Sequence, residues 1–189
     1  MKKAFLVFAC LLLLSACGGM RYIYMAEVNP TPNVDIINPI KERIFLEIDE
    51  SVQDTFWEYH SDLKPLEISS WRSSLANGFM NTFSEFNIVT TKDKAQIIFR
   101  IYEATPVRTL VSLSAEGSYG LKTAVQSCQI TYKVRLLDAQ GKILKRSNGT
   151  AHSKQSGATK YDTNRIVASA IESMYESIVK NFFQEVQVK

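Results

Sequence analysis

The clearest period in the chain lies near its end. From Asp162 or Thr163 to about Val186, Ile166, Val167, Ala170, Ile171, Met174, Ile178, Val179, Phe182 and Val186 recur at three- and four-residue spacing, which predicts a long amphipathic helix. Its polar face mixes both charge signs, so packing on a sheet is expected rather than lying on a membrane. An earlier helix is predicted from an N-cap at Ser69 or Ser70 to about Phe86, with Trp71, Leu75, Phe79, Phe83 and Phe86 forming one aromatic face. Gly78 interrupts that helix at a cost of about 1 kcal/mol relative to Ala, which fits a close approach to the sheet.

Strand patterns fill the space between. Arg43 to Asp49 places Ile44, Leu46 and Ile48 on one face. Ala95 to Tyr102 contains Ile97-Ile98-Phe99, a run covered on both sides. Gln126 to Asp138 alternates most cleanly: Cys128, Ile130, Tyr132, Val134 and Leu136 face one way, while Gln129, Thr131, Lys133 and Arg135 face the other. Asp138-Ala139-Gln140-Gly141 carries type I turn chemistry with a bulge glycine, so Lys142 to Ser153 should return antiparallel. With Asp138 opposite Lys142, Leu136 meets Leu144 and Arg135 meets Lys145. Pro106 to Gln126 reads as a strand edge followed by a loop able to carry binding, since Ser, Thr and Gly dominate it.

The order strand, helix, strand, hairpin, helix predicts an α+β domain: two helices on one face of a mostly antiparallel sheet of about four strands. Residues 42–189 form that domain. Ahead of it, 17–41 reads as a tether, because Pro30, Pro32 and Pro39 favour extended backbone, although Arg21 to Val28 has the residues of a strand. Ser51 to Ile68 shows no clear period and gathers Phe56, Trp57, Tyr59 and His60. Exposed, these aromatics would touch lipid or a partner. Folded over the sheet edge, they complete the core, and most large aromatics are largely buried.

The first sixteen residues change the picture. Met1-Lys2-Lys3 is a cationic start, Ala4 to Leu14 is an apolar run of eleven residues, and Ser15-Ala16 supplies small residues before Cys17. Eleven is well short of the roughly 20 needed to span a bilayer, which fits a cleaved export signal over 1–16. Leu14-Ser15-Ala16-Cys17 followed by Gly18 resembles the lipobox of bacterial lipoproteins. That resemblance implies cleavage between Ala16 and Cys17, a diacylglyceryl group on the Cys17 sulfur and palmitate-class acylation. The absence of Asp at Gly18 implies the periplasmic face of the outer membrane.

Charge and cysteine content follow from this. The formal net charge of +3 falls to +1 once Lys2 and Lys3 leave, so nothing global points to nucleic acid. Cys10 leaves too and Cys17 carries lipid, which leaves Cys128 alone as an inert core residue. No cofactor is expected beyond the covalent lipid. The expected partners are the membrane, an envelope protein, and lipopolysaccharide as an alternative.

Candidate chemistry is sparse. His60 and His152 are the only histidines, and no His-Glu-x-x-His, paired-Cys, Gly-x-Ser-x-Gly or phosphate-loop pattern occurs. Ser61-Asp62-Leu63-Lys64 matches Ser-x-x-Lys without the accompanying elements of penicillin-recognising enzymes. The expectation is a protein that is not an enzyme. Its candidate anion or partner site is Lys133, Arg135 and Lys145, because like charges opposite one another invite an anion, while splayed basic side chains in solvent are the plainer reading. The lipobox, the helix Ser70 to Phe86 leading into strand Ala95 to Tyr102, the hairpin Gln129 to Ser153 and the helix Thr163 to Val186 together resemble the YajG family of outer-membrane lipoproteins. More distantly they resemble the lipopolysaccharide-assembly lipoprotein LptE. The resemblance implies the role of an envelope lipoprotein. The function expected is a non-catalytic scaffold or accessory subunit in assembly or stabilisation of an envelope complex; the alternatives are a lipid- or lipopolysaccharide-binding accessory subunit of an envelope transport system and an envelope hydrolase.

Overall fold

The computed structural model describes residues 21–24, 28–36, 39–60, 63–115, 122–157 and 160–183. The elements are β1 (Arg21–Tyr24), β2 (Arg43–Ile48), β3 (Phe56–His60), β4 (Leu63–Ser69), α1 (Trp71–Thr82), β5 (Asn87–Ile88), a 3-10 turn (Lys92–Lys94), β6 (Ile97–Ala115), β7 (Lys122–Asp138), β8 (Ile143–Ser156) and α2 (Lys160–Phe182). Among the described residues two sheets form: a five-stranded one in the order β5-β2-β6-β7-β8 and a three-stranded one in the order β1-β4-β3.

The α+β class is as expected, but the sheet is not four mostly antiparallel strands. β2 runs parallel to both β5 and β6, while β6, β7 and β8 are antiparallel. The chain between β2 and β6 crosses over through α1, and such a crossover brings strands back parallel, whereas a tight turn makes them antiparallel. β3 and β4 of the three-stranded sheet come from a stretch without a clear period and were missed, whereas β1 falls within Arg21 to Val28, which has the residues of a strand.

Both helices cover one face of the larger sheet, and Phe99 of β6 shows it: its ring lies 5.0 Å from Phe79 of α1 and 6.1 Å from Phe182 of α2. Ile44, Ile101, Cys128, Ile130, Val134 and Leu136 line the same face and are buried. Across the sheet, Ala95, Ile98 and Leu137 make a smaller cluster under Phe45, Val89 and Ile143, so the run Ile97-Ile98-Phe99 is indeed covered on both sides.

α1 starts at an unusual point. Ser70 stands in the N-cap position with φ 56° and makes no side-chain cap. Asp54, just ahead of β3, replaces it, accepting from Trp71 N at its carbonyl (3.0 Å) and from Arg72 N at Oδ1 (2.8 Å). Free N–H groups at a helix start require such partners. The helix ends at Thr82, short of the expected Phe86, yet Phe83 and Phe86 stay buried in the turn that follows. Gly78 serves a helix contact, not the sheet contact expected: a Cβ there would lie 2.6 Å from Cε2 of Tyr175. Tyr175, absent from the apolar pattern of α2, is fully buried, and its hydroxyl donates to Leu75 O at 2.6 Å.

Residues expected to act as a spacer lie against the domain. β1 pairs with β4, Val28 is in the core, Thr31 N donates to Glu172 Oε1 (3.0 Å), and Asn81 Nδ2 of α1 donates to Pro30 O (2.7 Å). The segment expected to hold a strand edge and a loop is instead the arm of a long hairpin, paired from Ile97↔Asp138 to Ala115↔Lys122, with only 116–121 outside the described residues. Beyond Ile101, β6 pairs with no strand on its β2 side among the described residues, which is where a strand tolerates Pro106.

Candidate functional site

The outer face of the five-stranded sheet, away from the helices, gathers the charged side chains. Register sets one row straight across four strands: Glu47 of β2, Arg100 of β6, Arg135 of β7 and Arg146 of β8. The adjoining row is Glu103, Lys133 and Asn148. A register shift between Ile101 and Glu103 inserts Tyr102 between the rows, and its ring takes two guanidiniums, Arg100 at 4.7 Å and Arg135 at 4.3 Å from the centroid. Cation–π attraction of this kind contributes roughly 0.5–1 kcal/mol at exposed sites and here fixes Arg135 in place.

The carboxylates of this face are already occupied. Arg100 Nη2 donates to Asp49 Oδ2 at 2.6 Å, and its Nε lies 3.5 Å from Glu47 Oε2. Lys92 Nζ donates to Glu47 Oε1 at 2.9 Å, and Lys133 Nζ stands 2.6 Å from Glu103 Oε2. Hydrogen bonds from the Ser51 backbone and hydroxyl, then from Arg100, hold the Asp49 carboxyl down to about 2. Partial burial pulls the Arg100 pKa down, but the Asp49 hydrogen bond and the nearby negative charges outweigh it and leave that pKa raised. Arg135 and Arg146 have no carboxylate within ion-pair distance among the described residues. With Lys133 and Asn148 they line an open cleft of about 190 Å³.

The expected trio Lys133, Arg135 and Lys145 is therefore divided. The register is not Leu136 against Leu144 and Arg135 against Lys145: Leu136 pairs with Lys145 and Arg135 with Arg146, because Leu144 is an extra residue between the pairs Leu137↔Ile143 and Leu136↔Lys145. One bulged residue turns every later side chain to the opposite face. Lys145 thus lies on the helix side, where its Nζ donates to Phe182 O at the end of α2. Arg146 takes its place beside Arg135. The consecutive apolar pair Ile143-Leu144 at the start of an otherwise polar strand was the one signal of this bulge. Nothing in the sequence pointed to Tyr102.

The aromatic candidates also separate. Phe56 packs edge-to-face on Trp71 at 5.8 Å, whereas Trp57 is 52% exposed. The side chain of Tyr59, that of His60, and the whole of 1–20 with Ala16 and Cys17 lie outside the described residues. Cys128 is buried in the core. His152 is exposed on the outer face of β8, opposite Gln129. Among the described residues no three His, Cys, Asp or Glu side chains gather as metal ligands. Arg72, in the neighbouring cleft with Glu47 and Asp49, donates to the carbonyls of Ile48 (2.7 Å), Asp49 (2.7 Å) and Val52 (3.0 Å), a clamp that ties α1 to the end of β2.

The fold is thus a two-helix α+β layer with a cationic outer sheet face. A Xanthomonas campestris protein of the DUF330 family is similar to it at a TM-score of 0.51 and 9% identity, over 84% of this chain and 91% of that one, which establishes a shared fold. A minor lipoprotein from Acinetobacter baumannii (TM-score 0.45, 15% identity, 79% and 99% of the two chains) was also found. So was lipoprotein B from Nitrosomonas europaea (0.45, 13%, 80% and 88%). No family model and no curated protein matches the sequence.

Proposed function

We propose that the protein is a lipid-anchored, non-catalytic accessory component of a bacterial cell envelope, held by acyl chains on Cys17 at the periplasmic face of the outer membrane. The observation that carries this is Leu14-Ser15-Ala16-Cys17 placed directly after a cationic start and an apolar run too short to span a bilayer. β1 begins at Arg21, four residues on, so Cys17 can lie at most about 14 Å along the chain from the fold. Each buried methylene contributes about 0.8 kcal/mol, so one acyl chain binds marginally and two or more bind stably. Among the described residues no helix is long and apolar enough to cross a membrane. The accessory role rests on a surface that offers paired charges and an exposed aromatic, Trp57, for contact with a partner.

Metabolic labelling with palmitate and membrane fractionation test this. The natural chain should incorporate label and sediment with outer membranes. Cys17→Ser should lose both, and a variant chain that still labelled, or a natural chain found in the soluble fraction, would refute the anchor.

A further inference from the structure

β8 is the last strand of the five-stranded sheet, and among the described residues one of its two edges pairs with no strand. Its partner on the other side is β7, and no backbone hydrogen bond from the described residues reaches the outer edge of Ile143–Ser156. From residue 139 to 161 there is no Asp or Glu but five cations: Lys142, Lys145, Arg146, Lys154 and Lys160. Arg146 points to the outer face beside Arg135, and neither is ion-paired among the described residues, as Asp49, Glu47 and Glu103 are taken by Arg100, Lys92 and Lys133.

Basic residues on an edge strand are a common guard against self-association. That explains Arg146, but not Arg135. Arg135 sits one strand in, held over Tyr102, where it guards no edge. A second copy of this chain would bring the same acid-free strand against itself, with like charges facing. A complementary strand would meet both needs at once, since its backbone would satisfy the free edge and its carboxylates the two guanidiniums.

We propose that β8 is a docking edge for an extended acidic segment of a partner protein, which adds as a sixth strand and places a carboxylate against Arg146 and Arg135. This gives the partner of the accessory role a chemistry, and it rests on that role but not on the lipid anchor.

The test uses full-length Cys17→Ser, so that membrane attachment contributes nothing, and a capped peptide of about six residues, the usual strand length, alternating Glu with Thr. Binding is read by fluorescence anisotropy and by hydrogen exchange along the chain. The Glu peptide should bind, its Lys counterpart should not, and the amides of β8 should gain protection while those of β5 do not. Arg135→Gln with Arg146→Gln should weaken binding about tenfold, the sum expected for two modest ion pairs. Lys145→Gln, on the opposite face, should leave affinity unchanged. No binding, equal binding by the double variant, or protection confined to other strands would overturn the proposal. So would protection of β8 by phosphatidylglycerol vesicles or lipopolysaccharide in place of the peptide. Failure here leaves palmitate labelling of Cys17 untouched, and the converse holds, so the two readings fail separately.

Discussion

Ser70 is the only non-glycine residue with positive φ among the described residues, and it makes no side-chain cap that would justify a serine there. Ser70→Gly should therefore stabilise the fold, by about 0.5–1 kcal/mol in urea denaturation, since glycine adopts φ 56° without strain. Gly78 works the other way. Gly78→Ala puts a methyl 2.6 Å from the ring of Tyr175, which is anchored by its bond to Leu75 O, and should cost about 1–3 kcal/mol despite the better helix propensity of alanine. Asp49 carries the pH dependence of the outer face. Its carboxyl is held at about 2 in the fold against 3.8 ordinarily, so its contribution is full above 3.8 and is lost as pH falls towards and through 2. Urea titrations at pH 5 and pH 2 should show that fall, and Asp49→Asn should reduce it.

At the scale of elements, the apolar periods did most of the work. The stripe of α2 and the alternation of β7 were legible because each buries one face against a single neighbour. β3 and β4 were not, since they pair in a second sheet that no local pattern announces. The β7–β8 register failed for a different reason. Turn chemistry placed Asp138 against Lys142 correctly, as Asp138 N donates to Lys142 O at 3.0 Å, and a single bulge at Leu144 then reversed the faces. One consequence is testable. Lys145, now on the helix side, neutralises carbonyl charge at the end of α2, so Lys145→Ala should cost about 0.3–1 kcal/mol and increase exchange of the last-turn amides of that helix.

For the whole molecule, the question is whether the small sheet is a separate unit. Phe56 of β3 packs on Trp71, and the indole of Trp71 donates to Ala104 O of β6 at 2.8 Å, so the small sheet, α1 and the large sheet share one buried side chain. A single cooperative transition is expected. The two tryptophans, Trp57 and Trp71, both report from this junction. Their fluorescence should change at the same denaturant midpoint as far-UV circular dichroism, and two midpoints would show that the sheets unfold independently. Phe99→Ala, which removes the ring touching both helices, should lower that common midpoint by about 3–5 kcal/mol equivalent.

The sequence alone determined the helices, the alternating strands of the core and the lipobox-like tetrad, because each is written in neighbours a few residues apart and needs no distant partner. Tertiary structure alone decided which basic residues stand together. Arg100, Arg135 and Arg146 come from three strands, and the carboxylates of Asp49 and Glu47 come from the end of a fourth. Whether a cation is paired or left open depends on that assembly, since Coulombic interaction depends on distance through space, and one extra residue in β8 was enough to change which charge faced which.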